Sequence, residues 1–192
     1  NDNAKAYAVR LYKNNTLVST ATVLKDSGCS ADFSEKIKKR IIMKEEKKVG
    51  FTIGKFAPLH KGHQFLIETA LKEMDKMIVI VYDTDLIDIP TEKRAEWIKE
   101  LYPNVEIKFG HNPPKQYGLD EESVNIQMEY LTKIIGDEKP THFYSSEKYG
   151  ESVAKYMNLV DRRVDNEREI VPIRATIVRE NLEENKKWID PK

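Results

Sequence analysis

Apolar and polar positions alternate in two rhythms along most of this chain. Val49, Phe51 and Ile53 alternate with small residues, as in a short buried strand. Gly54 opens a turn and Pro58 keeps that turn out of helix; from Gln64 the apolar Phe65, Ile67, Ala70 and Leu71 recur at helical spacing. Met77 to Tyr82 is a nearly continuous apolar run, typical of a central parallel strand. Thr91 is placed to cap a helix (TEKRAEWIKELY) with Arg94, Trp97 and Leu101 along one face. Residues 105–109 alternate as a strand, 121–135 form an amphipathic helix stopped by Gly136, and 141–144 form another strand. Leu159-Val160-Asp161, continued by 168–172, completes the sheet. Strands alternating with helices predict an α/β fold, a Rossmann-like doubly wound parallel sheet over residues 49–192 with ligands at the carboxyl ends of its strands.

Residues 1–48 read differently. Two β-rich runs in 6–24 flank Lys13-Asn14-Asn15-Thr16, a hairpin signal, and 32–48 is a highly charged short helix or linker. The prediction is a small N-terminal β-hairpin appendage, to which no chemistry is assigned. It carries 11 Lys and Arg against 6 Asp and Glu, whereas the remainder carries 21 against 26, so the formal neutrality of the whole hides an uneven distribution. No aromatic or Arg-rich run accompanies the basic excess, and a solvated surface is favoured over a nucleic-acid contact.

With 192 residues, 40% hydrophobic and 33% charged, the chain has enough apolar content for a real core, and its mean hydropathy is −0.62. No run approaches the roughly 18 apolar residues of a membrane span. Cys29 stands alone, so no internal disulfide forms, and a cytoplasmic location is expected. There is no Cys/His cluster for zinc. The chain opens on Asn1, as expected of a piece of a longer product.

Chemistry concentrates in Gly54-Lys55-Phe56-Ala57-Pro58-Leu59-His60-Lys61-Gly62-His63. Two of the four histidines lie here, one helical turn apart at the start of a helix, where both can face one phosphate as hydrogen-bond donors or as cations. Lys55 reaches the same place from the strand end, and Gly62 lets a ligand approach the backbone. Downstream, Ser145, Ser146, Glu147 and Tyr149 follow a strand and make a polar pocket edge, with Ser146 a candidate helix cap. Asp83 ends the central strand, placed for a ribose or a metal, or as a turn carboxylate capping the next segment. Ile173-Arg174-Ala175-Thr176-Ile177-Val178-Arg179 offers a helix start capped by Thr176 and a guanidinium from Arg179, a combination suited to terminal phosphates.

The first of these stretches resembles the G-x-F-x-P-x-H-x-G-H signature of the nucleotidylyltransferase superfamily, and the last resembles its I-S-x-T-x-I-R motif. The Lys after the Gly and the Phe-Ala-Pro run look most like bacterial nicotinamide-nucleotide adenylyltransferases of the regulator type. The resemblance implies transfer of AMP from ATP to nicotinamide mononucleotide, giving NAD and pyrophosphate, with Mg²⁺ held mainly by the ATP phosphates and no dedicated protein metal site. It implies His60, His63, Lys55 and Arg179 as catalytic residues, and Gly54, Phe56, Ala57, Gly62, Ser145, Ser146, Glu147, Tyr149, Ile173, Arg174 and Thr176 as nucleotide contacts. Asp83, Arg94 and Trp97 are implied as acceptor contacts, Arg94 through phosphate and Trp97 by stacking on the pyridine ring. Arg174 departs from the family's usual Ser. The alternatives are a same-fold transferase acting on phosphopantetheine, dephospho-coenzyme A or glycerol phosphate, a citrate lyase ligase, or a nucleotide-sensing module without turnover. His60, where the ligase usually has Thr, argues against that one. No G-x-x-x-x-G-K-[ST] occurs, so P-loop kinase activity is not expected of this chain. Oligomeric state is open, including a homo-oligomer.

Overall fold

A computed structural model describes residues 6–13, 16–24, 47–116 and 120–189. The chain divides into two compact units, residues 1–46 and 47–192. In the first, β1 (Ala6–Lys13) pairs antiparallel with β2 (Thr16–Leu24), from Ala6 opposite Leu24 to Lys13 opposite Thr16, with a register shift at Leu11/Tyr12. Most of the charged segment expected to form a helix or linker, residues 32–46, lies outside the described residues.

The second unit is a five-stranded sheet in the order β5-β4-β3-β6-β7, every neighbouring pair parallel. Its strands are β3 (Val49–Gly54), β4 (Lys76–Tyr82), β5 (Glu106–Gly110), β6 (His142–Ser145) and β7 (Val160–Arg163). The helices between them are α1 (Lys61–Glu73), α2 (Thr91–Leu101), α3 (Glu121–Ile135) and α4 (Gly150–Met157), followed by α5 (Ala175–Glu180) and α6 (Leu182–Asn185). This is the doubly wound α/β architecture. Alternation within β4 shows how it is held. Met77, Val79 and Val81 join one buried cluster with Ile67 and Ala70 of α1 and Ala95 and Ile98 of α2. Ile78 and Ile80 join another with Met128, Leu131 and Ile135 of α3 and Val153 of α4. Both faces are covered, so β4 reads as a solid apolar run; each fully buried aliphatic side chain contributes about 1.5–3 kcal/mol.

The chain builds outward from β3 to β5, then crosses through α3 to place β6 on the other side of β3. The crevice at a parallel sheet's carboxyl edge opens at such a reversal. The loop after β3, which carries the two histidines, and the loop after β6, which carries Ser146 to Tyr149, therefore face each other there.

Several local expectations are corrected. The first helix starts at Lys61 and not Gln64, because His60 is its N-cap. Thr91 is the first helical residue, not the cap; its hydroxyl is engaged by Asp83 and Arg94. Residues 168–172 form no strand. The Asp165 carboxylate accepts from the Ile170 and Val171 amides (3.0 and 2.8 Å), and positive φ at Asp165 and Arg168 turns the backbone there.

Candidate active site

The cavity at the carboxyl edge of the sheet has a volume of about 590 Å³. Lys55, His60, His63 and Arg179 all line it, although Arg179 is more than a hundred residues beyond the others. Gly54, Phe56, Ala57, Gly62, Ser145, Ser146, Glu147, Tyr149, Arg174 and Thr176 line it as well.

The histidines are held by a reciprocal capping box. The Gly62 amide donates to His60 Nδ1 (3.1 Å) and the His60 amide donates to His63 Nδ1 (3.4 Å). Each Nδ1 is thus an acceptor, which places the proton of each neutral ring on Nε2. Burial lowers the His60 pKa to about 4, with the Arg168 charge adding to the effect. Burial, then His60 and Arg168, also hold His63 well below its ordinary value. Near pH 7 both rings are neutral hydrogen-bond donors, and the cationic form drops out. Phe56, at φ 47°, packs edge-on against His63 (4.9 Å between centroids).

Besides lining the cavity, Gly62 leaves space for the His60 ring. A Cβ there would sit 3.0 Å from His60 Cε1 and 3.1 Å from its Nδ1, so the missing side chain makes room for the imidazole. Ile173 does not line the cavity: it is buried, and its Cγ2 lies 3.6 Å from the same point.

Arg179 donates from Nη1 to the Ala57 carbonyl (2.6 Å) and from Nη2 to Thr176 Oγ1 (3.3 Å), joining α5 to the loop after β3. Thr176 is therefore not a cap; it is the second residue of a helix whose N-cap is Arg174 and which has no side-chain cap bond. Ser146 does not cap α4 either, since its hydroxyl donates to the Val164 carbonyl (2.7 Å). Ser145 Oγ donates to the Glu147 carbonyl (3.2 Å) and Tyr149 Oη to the Ile53 carbonyl (3.4 Å).

Asp83, Arg94 and Trp97 are not brought to the cavity. Arg94 is fully buried and its donors go to protein carbonyls and Thr91. Asp83 accepts from Thr91 Oγ1, from His111 and from the Asn112 amide. Trp97 packs against the cluster formed by α1, α2 and β4. For Arg94 and Trp97 the physical cause is the orientation of α2, whose inward face buries against the sheet.

Two features escaped sequence reasoning. Arg168 lines the cavity, pairs with Glu147 and donates to the Ile173 carbonyl (2.9 Å). A cation shortly before the second motif was its only signal. Part of the lining is apolar and aromatic: Tyr82, Leu86, Pro113, Met128, Tyr130 and Leu131. Helical spacing marked 121–135 as an amphipathic helix and gave no sign that it reaches the cavity.

Two neutral N–H donors and several cations around one cleft suit a polyphosphate. Among the described residues no group of three or more His, Cys, Asp or Glu could hold a metal ion, and Glu147, the cavity's carboxylate, is paired with Arg168. The site does not fit a protein-held metal. No helix among the described residues is long and apolar enough to cross a membrane.

A cytidylyltransferase-like family model matches residues 51–181. The chain belongs to the cytidylyltransferase-like family. This cytidylyltransferase-like chain is 26% identical to the trifunctional NAD biosynthesis/regulator protein NadR of Salmonella typhimurium (strain LT2), in an alignment covering 72% of it and 38% of that protein. It is 29% identical to the pantothenate synthetase of Clostridioides difficile (strain 630), covering 54% and 41%. The crystal structure of a NadR protein in complex with NR matches with a TM-score of 0.52 and 26% identity, over 74% of this chain and 43% of that one. The chain spans about two fifths of the length of the curated relatives it matches.

Proposed function

We propose that this cytidylyltransferase-like domain is a nicotinamide-nucleotide adenylyltransferase, joining AMP from ATP to nicotinamide mononucleotide. The observation that carries the reading is the convergence of Lys55, His60, His63 and Arg179 on one cavity. The likeness to NadR supports the choice of acceptor.

An oxygen of the acceptor's 5′-phosphate attacks the α-phosphorus of ATP; a new P–O bond forms, the bond to the bridging oxygen breaks, and pyrophosphate leaves. The nucleophile is already an anion, so no general base is needed. Catalysis rests on in-line placement and on neutralising charge in the transition state. The Nε2 hydrogens of His60 and His63 serve the α-phosphate and its bridging oxygen. Lys55 serves the phosphates of either reactant, and Arg179 with Arg174 and Thr176 takes the departing pyrophosphate. Mg²⁺ arrives on the triphosphate, and no step is assigned to it.

The likeness to pantothenate synthetase favours a second reading, a different acceptor on the same scaffold. Incubation with ATP, Mg²⁺ and a panel of acceptors, with pyrophosphate release as the readout and pantothenate formation measured beside it, separates the two. Release confined to the pyridine mononucleotides supports the proposal. Release with another acceptor, or none with any, overturns it.

A further inference from the structure

Arg94 is the largest fully buried side chain among the described residues, and its place in the hydrogen-bond network differs from that of a phosphate ligand. Paired positions of β3 and β4 end at Gly54 opposite Val81. The next carbonyls, those of Lys55 and Tyr82, both accept from Arg94 Nη1, the latter at 2.9 Å. Nε donates to the Ile89 carbonyl (3.2 Å) and Nη2 to Thr91 Oγ1 (2.7 Å). A planar guanidinium therefore splints two neighbouring strands one step beyond their last backbone pair.

The chain of contacts continues. Thr91 Oγ1 donates to Asp83 Oδ1 (2.6 Å), and Asp83 Oδ2 accepts from the Asn112 amide (2.9 Å). Pro113 and Pro114, next along that loop, line the cavity. One end of this network holds the backbone of Lys55, and the other holds a loop that also lines the cavity. A buried cation is costly unless its donors are satisfied, and here they are spent on three backbone carbonyls and the Thr91 hydroxyl.

We propose that Arg94 is a positioning residue for adenylyl transfer, setting the backbone of Lys55, with Thr91 and Asp83 tying that setting to the loop at 111–114. The inference rests on the function proposed above. Lysine at position 94 keeps the charge but cannot present a fork to several acceptors.

The test is a double-mutant cycle of Arg94→Lys with Lys55→Ala, measured in steady-state kinetics. Arg94→Lys is expected to lower kcat about 100-fold, the scale of a misplacement on the order of 1 Å, while both KM values stay within about threefold. The double variant is expected to be no slower than Lys55→Ala alone. A rise in acceptor KM with kcat intact makes Arg94 a direct ligand and overturns the inference; multiplicative effects overturn it too. If Arg94→Lys fails to fold, Thr91→Val keeps the guanidinium on its carbonyls, removes the acceptor of Nη2 and cuts the link to Asp83. It is expected to lower kcat about tenfold at unchanged KM, and wild-type kcat overturns the inference. Calorimetric titration with ATP·Mg²⁺ separates the two levels. A wild type that binds ATP but turns over no acceptor sinks the proposed function alone, and the cycle is then read on ATP affinity, where a non-additive loss supports the inference and an additive one overturns it. A wild type that does not bind ATP overturns both.

Discussion

The imidazoles of His60 and His63 stack at 3.7 Å between centroids and 20° between planes. The His63 ring accepts from the His60 amide and the His60 ring from the Gly62 amide across the first turn of α1, so rotating either ring releases a backbone amide. The relationship makes one rigid, uncharged donor pair out of two groups that usually switch charge near neutral pH.

Removing one donor should be expensive for the reaction. His63→Ala is expected to lower turnover 10²–10³-fold, about 3–4 kcal/mol, at little cost in ATP affinity. Near-normal turnover in a pyrophosphate-release assay would refute the role given to this ring.

The neutral state of the pair predicts a pH response. The unfolded chain takes up a proton on His60 as pH falls through 6.5, whereas the folded chain resists until about 4. The folded state therefore loses stability between those values on acidification, on the order of 3 kcal/mol from His60, and regains it as pH rises. Thermal unfolding from pH 7.5 to 4.5 should show this decline, and it should shrink in His60→Asn. Turnover should show no limb near 6.5 from these two rings.

Arg168 connects to the same property, since its charge helps to depress both histidines. Arg168→Ala should raise both pKa values, followed by proton NMR of the ring C–H signals. It should also weaken ATP by roughly ten- to a hundredfold, the worth of a charged hydrogen bond, and unchanged ATP affinity would remove this residue from the site.

Arg179→Ala should act mainly on ATP, with KM for ATP up about tenfold or more and the acceptor KM little changed. Steady-state kinetics at saturating acceptor decide it; an unchanged KM for ATP argues against the role in pyrophosphate binding.

Two glycines separate stability from chemistry. Gly62→Ala presses a methyl on the His60 ring and should cost up to about 100-fold in turnover with little change in unfolding midpoint. At Gly50 the added Cβ would meet Met74 Cγ at 2.7 Å and Tyr144 Cε2 at 2.9 Å, inside the core beneath the sheet. Gly50→Ala should destabilise by about 1–3 kcal/mol and leave turnover per folded molecule unchanged.

Much of this was legible residue by residue. The unbroken run from Met77 to Tyr82 marked a strand covered on both faces, and residues 121–135 showed both helix ends. The spacing of His60 and His63 announced a paired donor at a helix start. The fate of Arg94 was not legible. The spacing of Arg94, Trp97 and Leu101 names one helix face but does not say which part of it reaches the carboxyl edge of the sheet, so two residues read as ligands became a splint and core packing. Arg168 was hidden for a related reason: a turn closed by the Asp165 carboxylate, not strand periodicity, carries it to the cavity.

By itself the sequence determined what depends on neighbours a few positions apart: strand and helix periods, the strand–loop–helix around His60 and His63, and the chemical types of the site. Only the tertiary structure decided which cations share a cavity with those rings, that burial and a reciprocal cap keep both rings neutral, and that Arg94 is spent on carbonyls. Those outcomes depend on desolvation and on contacts between residues as distant in sequence as Ala57 and Arg179, which local pattern does not encode.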